Sequence, residues 1–177
     1  MKKILFSLVL IFTFGCVAQK KEVNAVKDEA GNLVGIADKN SFLNEDEFNE
    51  WFTPNYDDYS TDKNVIEKLK PVINKGVTIK AFMGTWCGDS QEQTPVFYKV
   101  LDEAEFNYSK LEMISVNRSK KTPDNLQEGL DIERVPTFIF YKEGKEIGRF
   151  VEYPRETLEA DFLKIVTGVE YKHSYEE

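Results

Sequence analysis

Residues 77–90 are the most informative stretch of the chain, and their sequence is VTIKAFMGTWCGDS. The first seven residues, Val77–Met83, are rich in β-branched and apolar side chains and predict a buried strand. Beyond Cys87, apolar side chains recur from Val96 to Ala104 at the spacing of a helical face. Cys87 is therefore predicted to lie where a buried strand ends and a helix begins.

A cysteine at the start of a helix occupies a position that favours its ionised form. The first backbone N–H groups of a helix lack intrahelical partners, and the peptide dipoles sum to a partial positive charge there. Both effects stabilise a thiolate, which is the nucleophilic form of cysteine. Ser90 can offer its hydroxyl to the sulfur of Cys87, and Gly88 keeps the approach open, whereas the charge of Asp89 opposes ionisation. We predict Cys87 as the catalytic nucleophile and Ser90 as its hydrogen-bonding partner.

The overall composition limits the classes of protein to which the chain can belong. With 177 residues, 41% of them hydrophobic, the chain can build one core but is short for two domains. Its 31 acidic and 23 basic residues give a formal charge of -8, and no stripe of Lys or Arg could follow a phosphate backbone. We therefore expect no nucleic-acid partner.

The sequence gives little support for a catalytic or metal-binding histidine. The only histidine, His173, lies close to the C-terminus, so a Cys–His dyad or a histidine metal site would need the tail to fold back. No glycine-rich phosphate-binding loop occurs either. We predict no cofactor and no metal site.

Residues 1–18 have the layout of a secretory signal peptide. Lys2 and Lys3 precede a predominantly apolar run, residues 4–14, and small residues follow it. This run is about half of the ~20 residues that a spanning helix needs. We predict that the segment is removed and that the mature chain has no membrane span, with a retained membrane anchor as the alternative.

The end of the signal peptide determines where the protein is found. Small side chains at Cys16 and Ala18 fit cleavage after Ala18, which predicts a bacterial protein that is periplasmic or secreted. The alternative is a lipoprotein with a lipid anchor at Cys16, although Thr13 and Phe14 suit such a signal poorly. In either case Cys87 is the one thiol left, and no internal disulfide can form. An unpaired thiol in an oxidising compartment is either buried and inert or present to react.

The remaining chain divides into three predicted parts. Residues 19–60 form a charged N-terminal extension with a short hairpin, residues 61–168 form the main domain, and residues 169–177 form a polar tail. Three aromatic side chains share one helical face of the extension. We predict that they pack against the main core, with an aromatic binding surface as the alternative. They are Phe48, Trp51 and Phe52.

Helix and strand signals alternate through the main domain. Thr122-Pro123 opens a predicted short helix that Gly129 can close. Thr137–Tyr141 and Glu146–Val151 are predicted strands joined by a tight turn. This order predicts an α/β fold with a central mixed β-sheet flanked by helices on both faces.

The segment Trp86-Cys87-Gly88-Asp89-Ser90 resembles the Trp-Cys-x-x-Cys motif of the thioredoxin superfamily, and the likeness extends over residues 62–168. Pro95 lies where the family has a proline in its active-site helix, and Val135-Pro136-Thr137 leads into a predicted strand as it does in the family. The resemblance implies a thioredoxin-like fold and a cis peptide bond before Pro136, which faces Cys87. It also implies that the backbone of Val135 pairs with substrate, and we assign Trp86, Gly88, Val135 and Pro136 to substrate binding.

Two departures from the family pattern bear on mechanism. Ser90 stands where the family has its second, resolving cysteine, and Ala81 stands where thioredoxins have a buried aspartate that assists that cysteine. The two changes agree, because the acid has no role when the second thiol is absent. The resemblance then implies a monothiol site of the Cys-x-x-Ser type.

A single thiol can carry out only half of a disulfide exchange by itself. We predict monothiol exchange through Cys87, as a reductase, an isomerase or a deglutathionylating enzyme, with protein thiols and disulfides or glutathione-like small thiols as partners. The alternative is a non-enzymatic protein-binding or chaperone-like module whose active site is degenerate.

Overall fold

A six-stranded sheet forms the centre of the protein. The computed structural model describes residues 22–177. The predicted signal peptide and the alternative lipid anchor at Cys16 therefore lie outside the described residues. Within residues 22–177, no helix has both the length and the apolar character needed to cross a membrane.

Strands and helices follow one another in mixed order, with one short 3₁₀-helix at Tyr108–Lys110. The strands are β1 (Val26–Lys27), β2 (Leu33–Ala37), β3 (Val77–Met83), β4 (Leu111–Ser115), β5 (Thr137–Lys142) and β6 (Lys145–Val151). The helices are α1 (Lys39–Leu43), α2 (Asp46–Asp58), α3 (Lys63–Ile73), α4 (Gly88–Glu103) and α5 (Leu158–Thr167).

The order of strands across the sheet is β1-β2-β4-β3-β5-β6. The strand β3 runs parallel to β4 and antiparallel to β5, and the other pairs are antiparallel. The predicted α/β class, with a central mixed sheet flanked by helices, is confirmed. Because β3 lies inside the sheet and α4 follows it, the junction that carries Cys87 is supported by neighbouring strands on both sides.

Local sequence explains where these elements begin and turn. The Asp62 side chain accepts hydrogen bonds from the backbone N–H groups of Asn64 and Val65, so it caps the first turn of α3. The predicted hairpin of β5 and β6 is confirmed, with Lys142 paired to Lys145. Glu143 and Gly144 have φ values of 52° and 75°, the left-handed conformation that a two-residue hairpin turn needs.

The two faces of the sheet are covered unequally. Buried side chains from all five α-helices belong to one large cluster, which also holds Phe138 and Phe140 of β5. The opposite face carries a smaller cluster with Phe82, Ile114 and Ile139, which is covered by side chains of the loop between β4 and β5.

That loop differs from the prediction, because no helix forms between β4 and β5. Residues 117–134 form a series of turns instead. The Thr122 hydroxyl accepts a hydrogen bond from the Leu126 N–H, as a helix cap would, but Asn125 has a φ of 52° and Gly129 a φ of 73°. Left-handed residues at these positions end each turn before a helix can propagate.

The N-terminal extension is part of the folded core. Its predicted hairpin is confirmed by the antiparallel pairing of β1 with β2, and β2 in turn pairs with β4. Phe48 and Phe52 are 4% and 1% exposed, and Trp51 packs against the same core cluster. The prediction that these aromatic residues pack in the core is confirmed.

The C-terminal tail is held by hydrogen bonds to the body of the protein. The Arg155 guanidinium donates to the carbonyl oxygens of Lys172, His173 and Glu176. The Tyr171 hydroxyl donates to Asp161, a carboxylate that is completely buried. The tail therefore packs beside the start of α5 and the end of β6.

Candidate active site

Cys87 is the N-cap residue of α4, and its sulfur faces the loop that precedes β5. The thiol is free and partly exposed, and it donates a hydrogen bond to the backbone carbonyl oxygen of Val135 at 3.2 Å. The backbone N–H of Cys87 donates to the Gly84 carbonyl at 2.9 Å, which fixes the turn between β3 and α4. The predicted position of Cys87 at a strand-to-helix junction is confirmed.

Trp86 forms one wall beside the thiol and is held rigidly. Its indole Nε1 donates to the Val116 carbonyl oxygen at 2.8 Å, and the ring lies directly over Gly84. A Cβ atom at Gly84 would lie 2.6 Å from Trp86 Cε2, so the ring can pack here only because residue 84 has no side chain. The Arg118 guanidinium lies over the indole, 5.6 Å from the ring centroid.

Ser90 is completely buried one turn into α4. Its hydroxyl oxygen accepts a hydrogen bond from the Gly84 N–H at 3.1 Å. No hydrogen bond joins Ser90 to Cys87 among the contacts of residues 22–177. The predicted pairing of the Ser90 hydroxyl with the sulfur is thus not observed in the free thiol, and the structure assigns Ser90 a contact with the backbone of the preceding turn.

Val135 and Pro136 form a second wall beside the thiol, because the Val135 carbonyl contacts the sulfur. Val135 is 2% exposed, and its peptide bond to Pro136 is cis. The Pro136 carbonyl accepts a hydrogen bond from the Glu152 N–H at 2.8 Å, and the Thr137 hydroxyl donates to the Arg134 carbonyl at 2.7 Å. These two hydrogen bonds hold both ends of the backbone segment that faces the sulfur.

The remaining predicted residues lie around this centre. Gly88 is exposed, and beyond its own helix and chain neighbours no atom lies within 4 Å of the position that a Cβ would occupy, so the space beside residue 88 is open. Asp89 is also exposed on the first turn of α4. Ala81 is completely buried within β3. In the described part of the chain, no group of three or more His, Cys, Asp or Glu side chains converges as a metal site.

Sequence reasoning missed Thr85, which ties the site to the N-terminal extension. The Thr85 hydroxyl accepts a hydrogen bond from the Leu33 N–H, and its carbonyl accepts one from the Gln91 side chain. It also missed Arg118, because nothing in the sequence places residue 118 beside Trp86. The only signal for Thr85 in the sequence was its position directly before the Trp86-Cys87 pair.

The fold and the cysteine at this junction define a thioredoxin-like protein. The sequence matches the thioredoxin family over residues 37–163, so the chain belongs to that family. The match begins within the N-terminal extension, at the end of β2, and reaches into α5.

Individual relatives agree with this assignment. Mouse thioredoxin is 32% identical over 105 residues, which are 58% of this chain and 91% of the mouse protein. Human thioredoxin is 28% identical over 107 residues, 59% of this chain and 93% of that protein. A thioredoxin-like protein of Acanthamoeba polyphaga mimivirus is 30% identical over 91 residues, 51% of this chain and 64% of the viral protein.

Solved structures agree with the fold. A Pseudomonas aeruginosa protein of unknown function superimposes with a TM-score of 0.57 at 16% identity, over 76% of this chain and 94% of that protein. At this level of identity the likeness concerns the fold alone.

Proposed function

We propose that this protein performs monothiol thiol–disulfide exchange through Cys87, acting on protein disulfides or on glutathione-like mixed disulfides. The observation that carries the proposal is the placement of the sulfur. It is partly exposed at the N-terminus of α4 and lies 3.2 Å from the carbonyl oxygen of Val135. A substrate chain can reach the sulfur between the Trp86 and Pro136 walls.

In the first step the Cys87 thiolate attacks one sulfur of the substrate disulfide. A bond forms between Cys87 Sγ and that sulfur while the substrate S–S bond breaks, and the departing thiolate takes the bonding pair and a proton from solvent. The partial positive charge of the α4 N-terminus stabilises the attacking thiolate. The product is a mixed disulfide between the protein and one half of the substrate.

In the second step another thiol must release Cys87. Attack by a second cysteine of the substrate isomerises the substrate disulfide with no net oxidation. Attack by reduced glutathione on a Cys87–glutathione adduct releases the Cys87 thiolate and forms oxidised glutathione, so reduced glutathione supplies the electrons that reduced the substrate. Residue Ser90 cannot take this role, because a hydroxyl does not resolve a disulfide.

The neighbouring residues have positioning roles in this scheme. The Ser90 hydroxyl uses one lone pair for the Gly84 N–H, so its proton stays available to a thiolate at Cys87. Once Cys87 loses its proton, the Val135 carbonyl also loses its donor and can pair with the substrate backbone. Trp86 and Pro136 bound the groove, and Gly88 leaves its mouth open.

We also propose that the protein acts outside the cytoplasm, as a periplasmic or secreted protein, with a lipoprotein anchored through Cys16 as the alternative. The support is the sequence of residues 1–18. Mass spectrometry of the N-terminal peptide from expressed protein distinguishes the two forms. A peptide that begins at Gln19 supports release, a lipid-modified Cys16 supports the anchor, and an intact Met1 in the cytoplasmic fraction contradicts both.

The exchange activity is tested on the full chain with Cys16→Ser, in which Cys87 is the only thiol. The reduced protein is mixed with oxidised glutathione, and the adduct is followed by mass spectrometry. We expect one glutathione per chain, removed by excess reduced glutathione. The matched variant Ser90→Cys should lose the adduct quickly to an intramolecular disulfide, and Cys87→Ser should form none.

If the Cys16→Ser protein forms no adduct at Cys87 and its Ser90→Cys derivative forms neither an adduct nor an intramolecular disulfide, the exchange proposal is wrong. The non-enzymatic alternative predicts a different result. A partner protein would then be retained equally by the wild-type chain and by Cys87→Ser, with no bond that a reductant can break.

A further inference from the structure

The end of the C-terminal tail lies against the loop that faces the Cys87 sulfur. The guanidinium of Arg134, the residue directly before Val135, lies over the Tyr175 ring, 3.9 Å from its centroid. The Tyr175 hydroxyl donates a hydrogen bond to the Glu152 carboxylate, and Arg134 pairs with the same carboxylate at 3.4 Å. The three side chains form a closed cluster, to which the tail contributes Tyr175.

This cluster is joined to the backbone beside the sulfur at two points. The Glu152 N–H donates to the Pro136 carbonyl at 2.8 Å, and the Thr137 hydroxyl donates to the Arg134 carbonyl at 2.7 Å. Arg134 and Glu152 thus hold the backbone around Val135, the residue whose carbonyl contacts the sulfur.

Glu152 depends on its side-chain partners. Its φ of 60° lies in the left-handed region, which is uncommon for a residue with a side chain and persists only where the surroundings hold it. Its side chain is 14% exposed, so Arg134 and Tyr175 replace much of the water that the carboxylate has lost. The hydrogen bond to Glu152 raises the pKa of Tyr175 to about 12, so the hydroxyl keeps its proton at neutral pH and acts as the donor.

The tail is held in place by further contacts that do not involve the Tyr175 hydroxyl. The Arg155 guanidinium donates to three carbonyl oxygens of the tail, and the Ser174 hydroxyl donates to the Tyr153 carbonyl. The Tyr153 ring also packs edge-on against Tyr175, with the ring centroids 5.8 Å apart. The Tyr175 ring therefore reaches Arg134 from a fixed position, which limits the entropy lost in that contact.

We propose that Tyr175 is a positioning residue for exchange at Cys87, and that it holds the Val135 carbonyl where an extended peptide substrate pairs with it. The inference rests on the exchange proposed above, in which a substrate chain binds beside the sulfur. It also names the substrate class that depends on the tail. Exchange with disulfides on an extended peptide depends on Tyr175, whereas exchange with small disulfides that have no peptide backbone does not.

Two reagents with the same leaving group separate these substrate classes. One is dithiobis-nitrobenzoate, a small aromatic disulfide, and the other is an extended peptide whose single cysteine carries thionitrobenzoate. In both reactions the Cys87 thiolate forms a bond to the retained sulfur, the reagent S–S bond breaks, and thionitrobenzoate leaves with the bonding pair. Release of the coloured thionitrobenzoate gives the second-order rate constant for the full chain with Cys16→Ser.

In that background, Tyr175→Ala removes both contacts of the tyrosine with the cluster. Its rate constant with the peptide should fall roughly three- to tenfold, the factor expected when one hydrogen bond is weakened, and its rate constant with the small reagent should change by less than about twofold. Tyr175→Phe keeps the ring over Arg134 and loses the bond to Glu152, so its loss with the peptide should be smaller. Val169→Ala, at an exposed residue of the tail, is the matched control and should change neither rate.

A purely structural role would change both rates together, or only the urea midpoint. Equal losses with the two reagents, no loss with the peptide in Tyr175→Ala, or a wild-type chain that reacts with the small reagent alone would each overturn the positioning role. Both reagents are activated disulfides, so they report the placement of the backbone even if the chain forms no adduct with oxidised glutathione. That last result would contradict the exchange proposal and leave the effect of Tyr175 measurable, so the two proposals can fail separately.

Discussion

The sulfur of Cys87 lies 3.2 Å from the backbone carbonyl oxygen of Val135, a residue 48 positions further along the chain. This contact joins the start of α4 to the loop before β5. In the exchange that we propose, a bound substrate would pair with the same carbonyl, so the thiol and the substrate would compete for it.

Replacement of Cys87 tests this contact. Cys87→Ser retains a donor toward the Val135 carbonyl, whereas Cys87→Ala removes it. We expect Cys87→Ala to be less stable than Cys87→Ser by about 0.5–1 kcal/mol in urea unfolding, the usual range of one hydrogen bond. Equal stability of the two variants would mean that the contact contributes nothing to the folded state.

The packing of Trp86 on Gly84 predicts that alanine substitutions at Gly84 and at Gly88 have very different effects on stability. A Cβ at residue 84 would meet the indole at 2.6–2.9 Å, so Gly84→Ala should displace the ring and break its hydrogen bond to Val116. We expect a loss of about 1–3 kcal/mol, measured by urea unfolding.

Gly88→Ala is the matched control, because no atom lies within 4 Å of a Cβ there and the residue starts α4. Its stability should be unchanged or higher by up to about 1 kcal/mol. A stable Gly84→Ala protein with unaltered tryptophan fluorescence would contradict the role given to that glycine.

The buried hydrogen bond from the Gly84 N–H to Ser90 predicts a structural cost for the loss of the hydroxyl. Ser90→Ala leaves a buried donor without a partner and should lower the free energy of unfolding by about 1–3 kcal/mol. Ser119→Ala, at an exposed serine, should change it by less than about 0.5 kcal/mol. If the two variants are equally stable, the Gly84 N–H must have another acceptor.

Asp102 and Asp161 should change the pH dependence of stability in opposite directions. Burial raises the pKa of Asp102, but hydrogen bonds from Lys39, Tyr108 and Tyr56 outweigh it and hold that pKa below its usual value. Because the folded state binds the proton less readily than the unfolded state, the stabilisation from Asp102 is present above the unfolded pKa. It is lost as pH falls through the folded pKa.

Asp161 should show the reverse. Its burial raises the pKa above the usual value despite hydrogen bonds from the backbone of Arg155 and Glu156. Its contribution is therefore greatest below the unfolded pKa and declines as pH rises through the folded pKa. The test is to measure the urea midpoints of Asp102→Asn, Asp161→Asn and wild type at several acidic pH values. When the difference between each variant and wild type is plotted against pH, the two plots should have slopes of opposite sign. Slopes of the same sign would show that one assignment is wrong.

The hydrogen bonds between Arg155 and the C-terminal tail predict that loss of the Arg155 side chain loosens the tail but not the core. Arg155→Ala removes the donor to three tail carbonyls, so amide hydrogen exchange should accelerate in residues 169–177. Exchange in β3 and α4 should stay unchanged. Lys145→Ala, at an exposed residue of the β5–β6 turn, is the control, and unaltered exchange of the tail in Arg155→Ala would contradict this attachment.

The parts of the site that are formed by residues close together in the chain could be predicted from the sequence. The strand before Cys87 and the helix after it follow from the periodicity of apolar residues, and the β5–β6 turn follows from Glu143-Gly144. The prediction of a short helix at Thr122-Pro123 was wrong, because its start signal and its closing Gly129 are present but the left-handed conformation of Asn125 is not visible in the pattern.

The α/β class, the place of Cys87 at a helix N-terminus and the absence of a second cysteine beside it could all be read from the chain, because they depend on residues that are neighbours in the sequence. The packing of distant segments was needed to show that the Cys87 thiol meets Val135, that Ser90 contacts Gly84 instead of the sulfur, and that loop side chains cover the second face of the sheet. These outcomes depend on how distant segments pack, since a hydroxyl or thiol pairs with whichever partner the folded chain brings within reach.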